Sequence, residues 1–506
     1  MSRSSQRSSK KKDPKQESSD IKEPMAKSSL YHSFTSKETK KLRERLLAWY
    51  DVHKRHLPWR TLASTELDFN RRAYAVWVSE VMLQQTQVAT VIEYYNKWMK
   101  AWPSLEDLAS ASLEEVNEKW SGLGYYSRGR RLHEGAQKLV SELGGTMPRS
   151  AEELQKLLPG VGRYTAGAIA SISYGQVTGV VDGNVIRVLS RLRCIGADSS
   201  TPVVMERLWD LANNVVDPER PGDFNQAVME LGATVCTPKK PLCTKCPLQE
   251  NCRAYKKVNT ESTFKTLPKT RAVPKVDDVD DIEECDLAHG SCNLCIPLSE
   301  CWESSLGVTN FPRKSAKKPS RVEQTVTCVC KRSGAQGGLE YLIVQRPSSG
   351  LLAGMWEFPN LLLGKELTVK DREDSLGQHL QEITGLNVSL QKLQYKGEVV
   401  HIFSHIHQTY IVYILHLNRS RSFSVKEEDK DIPSVRWVTK EQFMTSAIPT
   451  AMKKIMKLCE GKNEGSSNIA QSRKRKKTDI QPPSIKIKTD TEKQSSIRNF
   501  FKPAIK

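Results

Sequence analysis

Residues 151–184 read AEELQKLLPGVGRYTAGAIASISYGQVTGVVDGN, and the turn inside this stretch decides the fold. The turn LPGVG lies between two segments, AEELQKL and RYTAGAIASIS, whose apolar residues recur at helical spacing. Its glycines permit a tight bend whose backbone N–H groups point outward at the start of a helix, where they can bind a phosphate without reading a base. An isolated turn of this kind is an ordinary link between helices. The candidate phosphate contacts are Leu158, Gly160, Val161 and Gly162.

Asp182 follows Gly162 by twenty residues, in the segment GVVDGN. Taken alone, this aspartate suits the N-cap position of the next helix. The combination LPGVG-x-Y-T-A…V-D-G-N resembles the helix-hairpin-helix and the catalytic aspartate of the endonuclease III superfamily of DNA glycosylases. The resemblance implies an all-α domain that binds duplex DNA and acts on a base taken out of the stack.

The composition divides the chain into five parts. Residues 31–255 carry apolar residues three or four apart and almost no strand-like alternation, which predicts the all-α domain. Residues 322–458 contain β-branched and aromatic runs followed by helix-like segments, which predicts an α+β domain. Residues 256–321, with an acidic run, a basic stretch and clustered cysteines, are predicted to be a connector. The segments 1–30 and 459–506 are polar and basic, and we expect both to be disordered.

The 506 residues carry a formal net charge of +19, but twelve of these charges fall in residues 1–30 and 461–506. Charge alone is therefore weak support for a nucleic-acid partner. No apolar run approaches the ~18 residues that a membrane span needs, and the first twenty residues lack the apolar core of a secretory signal. We therefore expect neither a membrane protein nor a secreted one, and the twelve cysteines indicate metal sites rather than disulfides.

The first cysteine cluster has the spacing C-x6-C-x2-C-x5-C and consists of Cys236, Cys243, Cys246 and Cys252. Four thiolates hold either a tetrahedral Zn²⁺ or a [4Fe–4S] cluster, and the spacing by itself does not decide between them. The same spacing resembles the iron–sulfur loop of the endonuclease III family. That resemblance implies a [4Fe–4S] cluster in residues 236–252.

Two further motifs narrow the resemblance. Residues 79–88, SEVMLQQTQV, and residues 122–128, GLGYYSR, resemble the adenine-specific MutY branch of the superfamily. The match runs from residue 46 to residue 252, roughly two fifths of the chain. It implies an enzyme of base excision repair that removes adenine mispaired with 8-oxoguanine or guanine.

Cleavage of an adenine N-glycosidic bond requires a proton on the leaving base and stabilisation of a cationic sugar, and two carboxyl groups can divide these tasks. Glu80 lies between the apolar residues Val78 and Val81, and burial there raises its pKa so that it can act as an acid. By resemblance, Glu80 protonates N7 of adenine and then activates water, while ionised Asp182 stabilises or traps the sugar. The alternative for Glu80 is a salt-bridged surface residue.

One position separates two reaction types. Relatives that also cut the strand carry a lysine just after the hairpin, and this lysine forms a Schiff base. Here the position is Tyr164, and no lysine lies between Lys156 and Lys239. We therefore expect a monofunctional glycosylase that leaves an abasic site. Tyr164 and Asn184 are predicted to orient Asp182 and the nucleophile.

The space left by the extruded base must be filled by protein side chains. The resemblance assigns this wedge role to Gln85, Leu123 and Tyr125. Tyr125 could instead be a core aromatic, but its flanking glycines favour an exposed loop. The other candidates are Arg55, Leu57, Trp59 and Gln226 for the adenine pocket, and Arg128, Arg130 and Arg131 for phosphate contacts or a solvated helix face.

The α+β domain begins with GLLAGMWEFP, residues 350–359, which resembles the first part of a Nudix fold. Residues 378–386, QHLQEITGL, keep only Glu382 of the acidic residues of a working Nudix box, and Mg²⁺ needs several carboxylates. We therefore predict recognition rather than nucleotide hydrolysis. In the MutY branch this domain reads 8-oxoguanine, and the matching loop here supplies Phe403, Ser404 and His405. The alternative is that Phe403 is a core residue and His405 an ordinary strand residue.

The second cysteine cluster repeats the same spacing with Cys285, Cys292, Cys295 and Cys301. A second [4Fe–4S] cluster, or unliganded cysteines in a disordered linker, are open alternatives, but no second helical domain precedes it. Animal MutY homologues carry a zinc site on the first three cysteines of this connector. A closed zinc site needs a fourth ligand. His32 is the preferred one by resemblance, and the others that stay open are Cys301, His53, His56 and His289.

The C-terminal tail carries two motifs. Residues 473–477, RKRKK, fit a nuclear localisation signal. Residues 494–501, QSSIRNFF, resemble a PCNA-binding box and predict PCNA as a partner and the nucleus as location. The Arg- and Ser-rich N-terminus leaves a mitochondrial form open, and we expect a monomer whose connector contacts other repair proteins such as an AP endonuclease, a checkpoint clamp or mismatch-repair proteins. The residues of the box are Gln494, Ile497, Phe500 and Phe501.

Two rival functions remain at this point. A pyrimidine- or thymine-acting glycosylase of the same superfamily would share the helical fold, but Tyr164 and the Nudix-like domain disfavour it. A non-catalytic sensor of damaged DNA could use the hairpin and the cluster for binding alone. The presence of both Glu80 and Asp182 disfavours the sensor.

Overall fold

A computed structural model describes the larger part of the chain. The described residues are 31–266, 285, 292–297, 299–300, 302–313, 319–334, 337–347, 350–364, 367–384, 392–403, 406–417 and 434–461. The N-terminal tail, the basic run 473–477, the PCNA-type box, Cys301, His289, Ser404 and His405 lie outside these ranges. Within the ranges, the structure has no helix with both the length and the apolar character to cross a membrane.

Residues 31–266 form a helical domain without strands, which confirms the all-α prediction. A helix past residue 255 extends this domain beyond the predicted boundary. The helices are α1 (Ser36–His53), α2 (Pro58–Thr65), α3 (Phe69–Leu83), α4 (Val88–Ala101), α5 (Leu105–Ser110), α6 (Leu113–Trp120), α7 (Ser127–Leu143), α8 (Ala151–Leu157), α9 (Arg163–Tyr174), α10 (Gly183–Leu192), α11 (Pro202–Val215), α12 (Pro221–Thr234) and α13 (Arg253–Thr266).

Polar side chains fix where several of these helices begin. Thr35 and Glu38 form a reciprocal capping box at the start of α1, and Ser112 and Glu115 form another at the start of α6. Asp182 accepts hydrogen bonds from two backbone N–H groups at the start of α10. Each such cap stabilises its helix by ~1 kcal/mol. The caps therefore set the points at which the chain turns between helices.

Two apolar cores divide the helical domain. The first contains the large buried rings of Trp77, Trp98 and Trp120, on α3, α4 and α6. The second packs α1 against α10, α11 and α12 and includes Phe224 and Leu231. The hairpin and the start of α10 lie where these two cores meet, so the groups of the candidate site come from both.

The C-terminal domain is a mixed sheet with helices on its faces, which confirms the α+β prediction. Its strand order is β3-β2-β1-β6-β5; β1 and β6 are parallel, and β4 and β7 pair antiparallel with β1 and β2. The elements are β1 (Arg321–Ser333), β2 (Leu339–Gln345), β3 (Trp356–Glu357), β4 (Asn360–Leu363), α14 (Val369–Thr384), β5 (Gln394–Ile402), β6 (Ile406–Leu417), β7 (Val435–Thr439), α15 (Lys440–Thr445) and α16 (Thr450–Glu460).

Burial on both faces explains the near-continuous apolar run of β1. One face of the sheet packs on Leu376 and Leu380 of α14. The other face packs on the helices α15 and α16, through Phe443 and Ile455. A strand covered on both sides is buried at every position: in TVTCVC the four Val and Cys residues are apolar, and Thr325 and Thr327 are buried with them.

Candidate active site and DNA interface

Glu80 is a buried carboxyl group near the C-terminal end of α3, and only 6% of its surface is exposed. The hydroxyl of Tyr164 donates a hydrogen bond to Oε2 of Glu80 at 2.7 Å. Burial raises the pKa of Glu80 to about 7, although the Tyr164 hydroxyl pulls it down; the nearby charge of Asp182 raises it further. Glu80 is therefore poised to hold or release a proton near neutral pH, as a general acid must.

Asp182 has a different environment. Its Oδ1 accepts hydrogen bonds from the backbone N–H groups of Asn184 and Val185 at 2.9 and 2.7 Å, and its Oδ2 accepts one from Nδ2 of Asn184 at 2.8 Å. Burial raises the pKa of Asp182, and these donors act in the opposite direction. Three N–H donors favour the charged carboxylate, and Glu80 has no N–H donor of this kind. The two carboxyl groups thus suit the two roles of acid and anion.

Asn184 connects Asp182 to the first cysteine cluster through Arg187, a residue that the sequence did not reveal. Nη2 of Arg187 donates to Oδ1 of Asn184 at 2.8 Å, and Nε of Arg187 donates to the carbonyl of Cys236 at 2.7 Å. A Cβ on Gly232 would lie 2.6 Å from the Cβ of Asn184, so only glycine lets α12 approach this closely. The position of Asp182 therefore depends on the loop that carries Cys236.

The first cysteine cluster lines one cavity under the C-terminal end of α10. Apolar side chains such as Val188 and Leu248 form its walls, and Nη1 of Arg191 donates to Sγ of Cys236 at 3.3 Å. Arg191 also donates to the carbonyls of Thr237 and Phe311. An apolar cavity lined by sulfur atoms, with the guanidinium of Arg191 beside them, fits a group held by thiolates. The four cysteines are Cys236, Cys243, Cys246 and Cys252.

The second cysteine cluster gains its fourth member from the N-terminal end of the helical domain. The ligand atoms of this group all lie within 4.8 Å of one another. Nε2 of His32 lies 3.4 Å from Sγ of Cys295, and Nδ1 lies 2.8 Å from the carbonyl of Arg193. Burial lowers the pKa of His32 to about 4, so the imidazole is neutral and able to bind a metal. The four residues are His32, Cys285, Cys292 and Cys295, without His53 or His56.

The adenine-pocket candidates surround a buried acid that the sequence analysis missed. Glu230 is 1% exposed, and its carboxylate accepts hydrogen bonds from Arg55 at 2.6 and 2.9 Å and from Arg60 at 2.9 Å. Nε of Arg60 also donates to Oε1 of Gln226 at 3.1 Å. An acid inside the apolar run AVMELGA was the available signal. A cavity of about 510 Å³ opens beside this network, and Leu57 lines it, while Trp59 is buried next to it.

Two of the three predicted wedge residues are exposed and have a strained backbone conformation. Gln85 is exposed with φ of 53°, and Tyr125 is 43% exposed with φ of 49°. Non-glycine residues seldom adopt positive φ, and such strain is common at functional sites. Leu123, the third predicted wedge residue, is 6% exposed in the first core, because the chain turns inward after Trp120, and its wedge role stays a prediction.

Arg128 also departs from the prediction of a phosphate contact or a solvated face. It is 8% exposed, and its Nη1 donates to the carbonyls of Val81, Met82 and Gln84 at 2.9, 2.9 and 2.6 Å. Its Nη2 donates to the carbonyl of Gly124 at 3.0 Å. The first three carbonyls lie at the C-terminal end of α3, and that of Gly124 lies in the loop 121–126, here called the wedge loop. Arg128 therefore joins the helix that carries Glu80 to the loop that carries Tyr125.

The hairpin between α8 and α9 is built around one glycine. Gly160 has φ of 77°, and a Cβ there would lie 2.7 Å from Cδ of Arg131. Leu158 and Val161 are buried, which anchors the turn, and Gly162 is the N-cap of α9 without a side-chain hydrogen bond. The first N–H groups of α9 consequently have no side-chain cap and can bind an anion.

A cleft of about 390 Å³, here called the interdomain cleft, separates the wedge loop from the sheet domain. Tyr125 and Tyr126 line one side, and Leu351, His401 and Phe403 line the other. Phe403 is only partly buried and faces this cleft, with its ring 4.6 Å from that of His401. Phe403 is therefore not a core residue.

The described part of the sheet domain shows no converging group of metal ligands at the remnant of the Nudix box. Glu382 is exposed and lies 3.9 Å from His379. No three acidic, histidine or cysteine ligand atoms converge among the described residues of this domain. Carboxylates that do not converge offer too few ligands for Mg²⁺.

Comparisons with known proteins cover both domains. Residues 78–214 match the family model of the HhH-GPD superfamily base excision DNA repair proteins, and residues 333–458 match that of the NUDIX domain. The adenine DNA glycosylase of Mus musculus is 54% identical over 465 residues, which are 92% of this chain and 86% of the mouse protein. The adenine DNA glycosylase of Homo sapiens is 56% identical over 438 residues, 86% of this chain and 77% of the human protein.

Two solved structures are similar to separate parts of the chain. A thermostable thymine-DNA glycosylase is 28% identical with a TM-score of 0.39, and the match covers 44% of this chain and 98% of that one. The C-terminal domain of mouse MUTYH, solved in a complex with human PCNA, is 39% identical with a TM-score of 0.23, over 27% of this chain and 87% of that one.

Proposed function

This chain belongs to the adenine DNA glycosylases of the HhH-GPD superfamily, enzymes of base excision repair, and we propose that it removes adenine paired with 8-oxoguanine or guanine without cutting the strand. One observation carries the proposed mechanism. Buried Glu80, with its pKa raised to about 7, shares a hydrogen bond with Tyr164 beside the N–H-bonded carboxylate of Asp182. This pair matches the chemistry of an N-glycosidic bond.

The proposed reaction begins with Glu80 in its protonated form. Glu80 gives its proton to N7 of the extruded adenine, and the bond from the base to the sugar breaks as positive charge develops on the sugar. Asp182, held as the anion by three N–H donors, stabilises that charge or traps it covalently. The Glu80 carboxylate then takes a proton from the attacking water, and the product is an abasic site.

Tyr164 supports the monofunctional reaction. It occupies the position of the Schiff-base lysine of bifunctional relatives, and its hydroxyl is already hydrogen-bonded to Glu80. Burial raises the pKa of Tyr164 well above its usual value, so the hydroxyl stays protonated. A phenol cannot form a Schiff base with the sugar.

The sheet domain is proposed to read the base opposite adenine. Phe403 faces the interdomain cleft, and Tyr125 faces it from the helical domain. An aromatic ring from each side suits a flat purine between them. Ser404 and His405 are proposed to contact the oxidised edge, and Gln85 and the hairpin are proposed to contact the DNA around the vacated position.

Two metal groups are part of the proposal. The first cysteine cluster would hold a [4Fe–4S] cluster that orders the loop from Cys236 to Cys252, and Arg187 would transmit that order to Asp182. The group of His32 with three cysteines would hold Zn²⁺, since three thiolates and one neutral imidazole are a complete tetrahedral set. Both are proposed as structural groups.

The remaining proposals concern partners and location. The box at residues 494–501 is proposed to bind PCNA, and the run at 473–477 to direct the chain to the nucleus, with a mitochondrial form open. The connector is proposed to contact other repair proteins, among them an AP endonuclease, a checkpoint clamp and mismatch-repair proteins. We propose that the chain acts as a monomer.

The test uses a duplex with one adenine opposite 8-oxoguanine, incubated with cluster-loaded protein and divided into alkali-treated and untreated portions. Breaks only after alkali are expected. Breaks without alkali would contradict the monofunctional mechanism. Glu80→Gln should bind the duplex and leave it intact, whereas a sensor would show no cleavage with either protein. A duplex with thymine opposite guanine tests the pyrimidine-acting alternative, and no product is expected.

A further inference from the structure

One carboxylate of the helical domain holds two residues of the sheet domain. Oε1 of Glu114, on α6, lies 2.9 Å from Nη2 of Arg436 and 3.2 Å from Nε1 of Trp356, and both nitrogens donate to it. The guanidinium of Arg436 also lies over the ring of Trp356, 4.0 Å from its centroid. We call these three residues the Glu114 latch. Each member contacts the other two, so the loss of one removes two of the three contacts.

An apolar contact lies beside the latch. Met355, which precedes Trp356, is fully buried in the first core of the helical domain, and Leu352 packs against the same core. A Cβ on Gly354 would lie 3.9 Å from Cδ2 of Leu113, at the start of α6. Leu352 and Met355 thus anchor their loop to the helical domain, and the latch holds the end of this loop at Trp356.

This loop ends at the interdomain cleft. Leu351 and Leu352 line the cleft together with Tyr125 from the helical domain and Phe403 from the sheet domain. Both domains belong to one compact unit of the chain. The gap between the rings of Tyr125 and Phe403 therefore depends on how the sheet domain packs on α6, and the latch contributes an ion pair to that contact.

We propose that the Glu114 latch positions the sheet domain so that the enzyme distinguishes 8-oxoguanine from guanine opposite adenine. The proposal rests on the proposed function of the cleft. The latch is a positioning device, because none of its members contacts Glu80 or Asp182, whose partners Tyr164, Asn184 and Val185 all lie in the helical domain. Loosening the latch therefore acts on the opposite base and spares the chemistry at adenine.

The expected effect is moderate because the latch is partly exposed. The side chains of Arg436 and Glu114 are 35% and 42% exposed, so water weakens their ion pair. The hydrogen bond from Trp356 adds a second charge-assisted contact. Together they predict that Glu114→Gln lowers the preference for 8-oxoguanine over guanine about tenfold, or ~1.4 kcal/mol. Trp356→Phe, which keeps the ring and removes only the N–H donor, should lower it about threefold, half of that free energy.

The experiment measures single-turnover cleavage of two duplexes, adenine opposite 8-oxoguanine and adenine opposite guanine, with full-length, cluster-loaded protein. The readout is the ratio of the two rate constants. Glu142→Gln is the matched control, because Glu142 forms a partly exposed ion pair with Lys138 on α7, away from the cleft. The double variant Glu114→Arg with Arg436→Glu restores an ion pair of reversed sign and should recover part of the ratio.

The proposal predicts a lower ratio in Glu114→Gln and Trp356→Phe, with the rate on the guanine duplex within twofold of the parent. An equal loss on both duplexes, or an unchanged ratio, would overturn it, because the latch would then be only a stability contact. If the parent protein itself showed no preference, the proposed reading of the opposite base would fail first, and the proposal with it. If the parent protein prefers 8-oxoguanine and the variants keep that preference, the latch proposal fails while the proposed reading of the opposite base stands.

Discussion

Tyr164→Phe isolates the hydrogen bond that lowers the pKa of Glu80, the proposed acid. The substitution removes one hydroxyl, keeps the ring in its place between the two cores and leaves Glu80 and Asp182 unchanged. Burial raises the pKa of Glu80 to about 7, and the Tyr164 hydroxyl holds it below the value that burial alone would give. Without the hydroxyl, the charged form of Glu80 loses a hydrogen bond, so its pKa rises further.

The size of this rise follows from the strength of the bond. A 2.7 Å hydrogen bond to a carboxylate contributes ~1.5–3 kcal/mol, and one pKa unit corresponds to ~1.36 kcal/mol. The pKa of Glu80 should therefore rise by about one to two units in Tyr164→Phe. Since the protonated form is the reactive one, the fall in rate at alkaline pH should move to higher pH by the same amount.

The assay is the single-turnover rate constant of adenine excision between pH 5.5 and 9.5, from which the midpoint of the alkaline fall is read. The midpoint is informative even if the absolute rate also changes. Tyr95→Phe is the matched control, because the buried Tyr95 hydroxyl has no hydrogen-bond partner and lies in the first core. An alkaline midpoint that stays in place or moves to lower pH in Tyr164→Phe would refute the assignment of Glu80 as the acid.

Three further predictions use the same geometry. The pKa of Glu80 is near 4.5 in the unfolded chain and about 7 in the folded protein. The stability linked to the raised pKa is complete below pH 4.5 and is lost as the pH rises through about 7. Glu80→Gln should therefore raise the free energy of unfolding, measured by urea unfolding, by ~2–3 kcal/mol at pH 8 and by little at pH 5. Arg187→Gln breaks the hydrogen-bonded link from Cys236 to Asn184, so it should lower the excision rate about tenfold or more and reduce the amount of bound iron. The control Arg45→Gln, at the exposed ion pair with Glu250, should change neither the rate nor the iron content. His32→Ala should lower the zinc content of purified protein while iron stays bound, and equal zinc in both proteins would show that His32 is not a ligand.

The sequence predicted the parts of the fold that depend on local patterns. Apolar spacing repeats within single helices, so the periodicity of the sequence reveals them. The β-rich runs of the second domain were equally clear, because a strand buried on both faces carries mostly β-branched and apolar residues. The end of the helical domain was less clear, since α13 continues to Thr266 where the sequence has already become polar.

The parts of the candidate site that lie in sequence motifs could be predicted, and the parts that depend on tertiary contacts could not. Glu80 and Asp182 lie in motifs, and the structure brings them close enough for the charge of Asp182 to raise the pKa of Glu80. Glu230 joins Arg55 across 175 positions of the chain, and Glu114 joins Trp356 across 242. No local sequence pattern predicts which residues form such pairs, because the two partners are far apart in the sequence.

Two of the predicted DNA-contact candidates are buried in the structure. Arg128, expected at a phosphate or in solvent, is 8% exposed, and the predicted wedge residue Leu123 is 6% exposed. Residue type suggests a role, but burial depends on how the wedge loop folds back over Trp120 and the end of α3. In Arg128 the backbone carbonyls of three residues take the place of the phosphate oxygens that a charged side chain would otherwise seek.

Asp182 begins α10 and is also the proposed anion of the reaction, and these two roles restrict which residues the position can accept. Asparagine would preserve the cap almost fully but remove the charge, and glutamate would preserve the charge but displace the oxygen that meets the N–H of Val185. A single substitution to asparagine therefore gives a folded, inactive protein. A lineage that lost the activity would pass most easily through that one change and keep the DNA-binding scaffold intact.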